Sequence, residues 1–188
     1  IAGDLAPVEA MWALKGLMGQ LGSERVECRQ DGAALPIGNR SAYVGNAAVE
    51  DIDSAGAILL VGTNPRDEAP VLNARLRKAW LGGADVARIG PPADLTYPVE
   101  DIATGPEGLQ GETRAQVVET MKRLGNPLVI VGQGALRRAD GEAVLAACMS
   151  LAEEAGGRML VLHSAAARVV GMDLGLALEA ELAAALDG

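Results

Sequence analysis

The chain has 188 residues, 49% of them hydrophobic and 22% charged, and its 16 Lys+Arg against 25 Asp+Glu give a formal net charge of −9. This balance argues against a general nucleic-acid binder, which needs a basic face for phosphate, yet it supplies the apolar residues for one α/β domain burying roughly 70% of its unfolded surface. Aromatic residues are only 2% with no Phe, which speaks against base-stacking platforms and aromatic ligand cages.

Ile1-Ala2-Gly3-Asp4 reads as the end of a buried strand running into a helix, and with no Met ahead of it the chain reads as a piece of a longer protein. Over residues 5–21 the apolar positions Val8, Met11, Trp12, Leu14, Leu17, Met18 and Leu21 recur at helical spacing, with Pro7 in the first turn and Gly22 as the stop. A short strand is expected at 25–28, then a long loop over 30–45 punctuated by Gly32, Pro36, Gly38 and Asn39, and a short helix near 47–53. Loops of that length often cover a neighbour or carry function.

Ala57-Ile58-Leu59-Leu60-Val61 is a continuous apolar run stopped by Gly62-Thr63-Asn64-Pro65, the pattern of a strand buried on both faces. The order then alternates: a helix over 69–80, a strand at 86–89, a helix at 113–124, a strand at 128–131, a helix at 141–154 and a strand at 159–162. Strands alternating with helices predict βαβ units and a doubly wound, mostly parallel, Rossmann-like sheet. Residues 1–188 therefore read as one α/β domain, with the Gly- and Pro-containing stretch at 90–111 a candidate boundary between two βαβ halves. The Ala/Leu-rich end, 176–186, reads as a helix.

Cys28 and Cys148 are far apart and belong to no Cys/His cluster, so no disulfide framework, zinc site or iron-sulfur site can be written for this segment, and a reducing setting fits best. No run approaches the ~18 apolar residues of a membrane span, and no signal segment opens the chain, so direct membrane insertion is not expected.

In open α/β sheets ligands bind beyond the carboxyl ends of strands, which directs attention to Gly62-Thr63-Asn64-Pro65-Arg66 and Gly132-Gln133-Gly134-Ala135-Leu136-Arg137. The second is only part of a dinucleotide fingerprint: Arg137 stands where a third Gly belongs, and the next strand ends at His163 rather than at an acid for ribose. In the first, Asn64 can bond backbone groups, Pro65 fixes the exit of the chain, and Arg66 with the backbone amides could complement a phosphate. A plain structural turn explains the same residues, and the following strand ends at Gly90 where a nucleotide site would often place an acid. His163-Ser164 lacks a nucleophile elbow or an orienting partner, none of the three Lys follows a Gly as in a Walker loop, and Glu100-Asp101 and Glu153-Glu154 read as solvated charges.

The run Leu59-Leu60-Val61-Gly62-Thr63-Asn64-Pro65-Arg66-Asp67-Glu68-Ala69-Pro70-Val71-Leu72-Asn73-Ala74-Arg75-Leu76-Arg77-Lys78 resembles the large iron-sulfur subunit of respiratory complex I, the NADH-quinone oxidoreductase, known in mitochondria as the 75 kDa subunit. Ile89-Gly90-Pro91-Pro92-Ala93-Asp94-Leu95-Thr96-Tyr97, Gly132 to Leu136 with Asp140-Gly141, and Ala167-Arg168-Val169-Val170-Gly171-Met172-Asp173-Leu174-Gly175 extend the likeness over most of the chain. The resemblance implies the C-terminal, molybdopterin-oxidoreductase-like part of that subunit, with the 4Fe-4S and 2Fe-2S clusters in an N-terminal part that this chain lacks. In related molybdenum enzymes the equivalent turn approaches the pterin dinucleotide, which carries cofactor contact over to Gly62, Asn64 and Pro65; the complex I family is understood to have lost that cofactor. The expectation is thus a non-catalytic scaffold without a cofactor of its own. Its partners would be other hydrophilic-arm subunits, at the cytoplasmic face of a bacterial inner membrane. Two other readings stand beside it: a working molybdopterin-dinucleotide oxidoreductase domain, and a central-type domain of a thiamine-diphosphate enzyme, which Asn126 to Leu136 with Leu151-Ala152-Glu153-Glu154 also resembles.

Overall fold

The computed structural model describes residues 1–178. Five strands form one parallel sheet: β1 Ala57–Val61, β2 Asp85–Ile89, β3 Glu100–Ala103, β4 Pro127–Val131 and β5 Arg158–Val161. Their spatial order is β3-β2-β1-β4-β5, so the chain winds outward to one side through β2 and β3 and to the other through β4 and β5. β1 and β4 are buried at every position because both of their neighbours are strands and both sheet faces are covered.

Alternation along the strands divides the core into two layers. Leu59, Val61, Val129, Val131 and Val161 point to the face that α5 (Gly111–Leu124) and α7 (Gly141–Glu154) cover with Val117, Val118, Met121, Val144, Cys148 and Leu151. Ile58, Leu60, Val86, Leu128 and Ile130 point to the other, where α4 (Pro70–Leu81) supplies Leu72, Leu76 and Ala79. The remaining helices are α1 (Val8–Gln20), α2 (Arg40–Val44), α3 (Pro65–Glu68), α6 (Gln133–Leu136) and α8 (Arg168–Asp173), with 3₁₀ turns at Val49–Ser54 and Pro106–Leu109.

The doubly wound parallel sheet expected from the sequence is therefore the architecture. Three local readings need correction. Residues 1–4 and 25–28 form no strand; Ala2 N–H donates once to the Glu27 carbonyl, and the Glu27 carboxylate accepts both the Cys28 and the Arg29 N–H. The Cys28 N–H is shared with the distant Leu176 carbonyl, so the donors of this stretch go to one carboxylate and to isolated carbonyls, and no ladder forms. The loop at 30–45 contains α2, and Gly45 beyond it forms an antiparallel bridge to Leu160, covering the outer edge of β5. The 90–111 stretch holds β3, an edge strand too short and polar to carry an apolar signal. The helix expected over 176–186 lies largely outside the described residues, and 176–178 have no regular structure.

α1 differs from the other long helices. Only Met11 is buried, and the helix with its leading turn exposes Leu5, Val8, Trp12 and Leu17.

Candidate functional site

The strand order reverses between β1 and β4, so the turns at their carboxyl ends flank the crevice where an open α/β sheet takes a ligand. The two turns nearly fill it with backbone. Gly62 has φ +56°, and a Cβ there would lie 2.4 Å from the Ala135 nitrogen; one on Gly134 would lie 2.7 Å from the Gly62 oxygen, and one on Gly132 would lie 2.4 Å from the Thr63 Cβ. Glycine is required at Gly62 twice over, by dihedral and by contact. The cavity left beside Gly62, Gly90, Gly134 and Arg138 measures about 120 Å³, below the roughly 300–1,000 Å³ of small-molecule sites. Cavities of about 370 Å³, beside Asp53, Lys78 and Gly82, and 390 Å³, between β3 and α5, do not include the two turns.

The donors of Gly62 and Asn64 are already engaged. Asn64 caps α3, its Oδ1 accepting the Arg66 N–H at 3.2 Å, while its Nδ2 donates to Asp67 Oδ2 at 2.7 Å. The Asn64 backbone N–H donates to Glu68 Oε1 at 2.6 Å, and Thr63 Oγ1 to Glu68 Oε2 at 3.1 Å. Gly62 N–H goes to the Ile89 carbonyl and Gly132 N–H to the Val61 carbonyl. Arg66, the cation of the turn, is paired with Asp94 at 2.6 Å. Asp94 is held below the usual carboxylate range by the Thr96 N–H and by Arg66.

A pterin dinucleotide presents phosphates, which need free N–H donors or an unpaired cation. At Gly62, Asn64 and Pro65 the donors bond two carboxylates and neighbouring carbonyls, so the residues present do not fit that group in this arrangement. Pro65 is buried at the first position of α3 and has no N–H to offer.

The other residues singled out from sequence are dispersed. Glu100 and Asp101 lie on β3, where Asp101 accepts from Arg88, whose guanidinium is buried; Glu154 ends α7 and pairs with Arg114 at 2.6 Å. His163 is half-buried past β5 and its Nε2 bonds the Tyr43 carbonyl, tying β5 to α2. Burial pushes the His163 pKa down, with the charge of Arg168 acting the same way against the Tyr43 contact and Asp31. Ser164 bonds Arg137, not His163, so no nucleophile and base pair exists there.

One polar group escaped the sequence reading because its members come from four distant segments. Asp31 accepts from Arg168 at 2.8 Å through Oδ1 and from Arg137 at 2.9 Å through Oδ2; Arg168 is 1% exposed and lies 3.9 Å from Asp4. Burial alone would raise the Asp31 pKa, but the Arg168 charge, the Ala33 N–H and the bonds from Arg137 and Arg168 hold it low. No spacing rule announces such a cluster; only the order of the strands brings it together.

A parallel sheet wound both ways from its centre, with helix-opening turns at its carboxyl edge, defines a Rossmann-like α/β domain. Residues 1–187 match the family described as molybdopterin oxidoreductase, and the chain belongs to that family. It is 36% identical over 192 residues to the NADH dehydrogenase (ubiquinone) iron-sulfur protein 1 of Solanum tuberosum, a match covering 96% of this chain and 26% of that protein. It is 35% identical over 185 residues to the NADH-ubiquinone oxidoreductase 78 kDa subunit of Candida albicans, covering 93% of this chain and 26% of the relative. The Neurospora crassa protein of the same description is 34% identical over 188 residues, covering 93% and 25% respectively. The chain thus spans about a quarter of the length of the curated relatives it matches. Among the described residues no helix is long and apolar enough to cross a membrane.

Proposed function

We propose that this chain is a non-catalytic scaffold domain of the large iron-sulfur subunit of an NADH-quinone oxidoreductase, the complex that passes electrons from NADH to quinone. The observation that carries the proposal is the Asn64 turn, whose amide and side chain are bonded to Glu68 and Asp67 where the molybdenum enzymes of the family would need donors for phosphate. The names of the relatives support the assignment to that complex. On this reading the domain packs among other hydrophilic-arm subunits at the cytoplasmic face of a bacterial inner membrane. It holds no cofactor itself, and the iron-sulfur clusters belong to a part of the subunit outside this chain.

Native mass spectrometry of the purified chain, with metal analysis of the same sample, tests the claim. The expected result is the mass of the bare polypeptide without molybdenum or iron; added mass equal to a pterin dinucleotide would overturn it. A second experiment addresses the scaffold role: deleting this segment from the full-length subunit should abolish NADH-quinone activity together with assembly. An assembled complex with normal electron transfer would refute the role.

A further inference from the structure

α1 is fastened to the molecule along one stripe only. Met11 is buried, Leu14 and Met18 pack against the same core, and Lys15 Nζ donates to the Leu174 carbonyl at the end of α8 at 2.6 Å. The rest of its circumference faces water without being polar. Among the exposed residues of α1 only Glu9, Lys15 and Gln20 are polar, and Lys15 is the one tied to Leu174. Val8 and Trp12, one turn apart, form a ridge on one flank, and Leu17 and Leu21 form a second on the other. Ala13 and Gly16 lie between the ridges, and a Cβ at Gly16 would meet nothing within 4 Å. Trp12 is 66% exposed and Leu21 70%.

A single apolar side chain in water is ordinary, but a helix that is apolar almost all round belongs inside a larger body. From their exposures, Val8, Trp12, Leu17 and Leu21 leave on the order of 500 Å² of surface to be covered. That area decides between occupants. Two copies of the chain would fall short of the roughly 800 Å² per partner of a stable complex, and each would bring a net charge of −9 toward the other. Counting both sides, a contact of about 1,000 Å² is instead of the size that joins domains within one polypeptide, where the tether supplies the local concentration that separate partners lack. The matched segment makes up about a quarter of each curated relative, so most of such a polypeptide lies outside it. With Glu9 as its one charge apart from the tied Lys15, the face offers nothing to a charged surface, and what covers it must be apolar as well.

We propose that the outer face of α1 is an interdomain docking surface, covered by an apolar surface of the same polypeptide outside this segment that seats side chains between Trp12 and Leu17, over Ala13 and Gly16. The contact is dry and uncharged, so salt does not loosen it. The inference rests on the proposed place of the chain within a longer subunit and not on the Asn64 turn: a bound pterin dinucleotide would overturn the non-catalytic reading and leave the docking surface standing.

Hydroxyl-radical footprinting, read by mass spectrometry at Trp12 and Leu17, tests this on the 188-residue chain, the full-length subunit and the assembled complex. Both side chains should be oxidised readily in the chain and lose most of that oxidation already in the full-length subunit, with Met11 protected in all three. Equal oxidation of Trp12 in the chain and the full-length subunit would overturn the proposal, and protection that begins only in the complex would give the face to another subunit. Protection within the chain itself refutes it too. If that protection grows with concentration alongside a dimer in ultracentrifugation, the occupant is a second copy; if deleting residues 179–188 abolishes it, the occupant is the chain's own end. Trp12→Glu should leave the melting temperature of the chain unchanged and speed amide hydrogen exchange of α1 in the full-length subunit, and unchanged exchange there would refute docking through Trp12.

Discussion

Glu68 closes the Asn64 turn from below: one of its carboxylate oxygens accepts the Asn64 backbone N–H at 2.6 Å and the other accepts the Thr63 hydroxyl at 3.1 Å. A single side chain thereby holds both the turn and the entry to α3. Glu68→Ala should lower stability by about 1 kcal/mol, because a charge-assisted bond at an exposed position is partly replaced by water. Glu68→Gln, which keeps an acceptor for the Asn64 N–H, should lose less. Urea denaturation of the two variants beside the wild type checks the order.

Two glycines should respond to alanine with opposite signs. At Gly62 the positive φ and the 2.4 Å approach to the Ala135 nitrogen are both fixed by backbone, so Gly62→Ala should cost about 2–4 kcal/mol as the sum of left-handed strain and overpacking. At Gly16, inside α1, a Cβ would meet nothing within 4 Å, and Gly16→Ala should stabilise by about 0.5–1 kcal/mol through helix propensity alone. Thermal melts of both variants give the comparison directly.

Acid should weaken the fold in two separate windows. Burial first, then the Arg168 charge, depresses the His163 pKa below its ordinary 6.5. The unfolded chain then binds the extra proton first, so this part of the stability is complete above about pH 6.5 and is lost as pH falls from there toward the folded-state value. Asp31, held below its ordinary 3.8, contributes fully above that value and is lost only as pH falls through its lower folded pKa. Stability measured against pH should show both declines, and His163→Gln should flatten the upper one alone.

Both thiols should be inert in the folded chain. Burial pushes Cys148 up to about 12, and burial with the neighbouring Glu27 charge pushes Cys28 up to about 11. At pH 8 neither forms appreciable thiolate. Intact-mass analysis after iodoacetamide should show no labelling of the native protein and two labels in urea; fast native labelling would contradict the packing of Cys148 on α7 or of Cys28 against Gly171.

The Arg88–Asp101 pair fastens the outermost strand of the sheet. Arg88 Nε donates to Asp101 Oδ1 at 2.8 Å across the β2–β3 pair, and Arg88 is only 3% exposed. Asp101→Ala leaves that buried guanidinium with only the Ala93 carbonyl as partner and should cost about 1–3 kcal/mol. Faster amide hydrogen exchange confined to Glu100–Ala103 would be its local signature.

The sequence announces those parts of the fold where one pattern dominates. Residues 57–61 and 127–131 are apolar at every position because both strand faces are covered, and α4, α5 and α7 show through helical spacing, so the central sheet and its two layers are legible. β3 is not, because an edge strand of Glu100-Asp101-Ile102-Ala103 owes its place to the Arg88 pair and the backbone of β2 rather than to hydrophobicity. Of the candidate turn, the residue types at Gly62, Asn64 and Pro65 could be read directly. That Glu68 and Asp67 turn back to bond the turn's own donors could not, since a carboxylate one helical turn along serves equally well facing solvent. Arg168 illustrates the harder limit: nothing in its neighbours announces that its charge is buried against Asp31, 137 residues away in the chain.

Gly45 has a bearing on how these molecules behave when crowded together. Its bridge to Leu160, with Asn46 Oδ1 accepting the Met159 N–H, shields the outer edge of β5, and any Cβ at Gly45 would collide with the Met159 carbonyl at 2.1 Å. The opposite edge ends in β3, whose brevity and two acids discourage an incoming strand. A side chain at Gly45 would therefore unseat the cover that this edge of the sheet depends on. The apolar, uncharged β5 core would then be offered to its counterpart in another molecule, turning a closed sheet into a seed for strand-to-strand polymerisation.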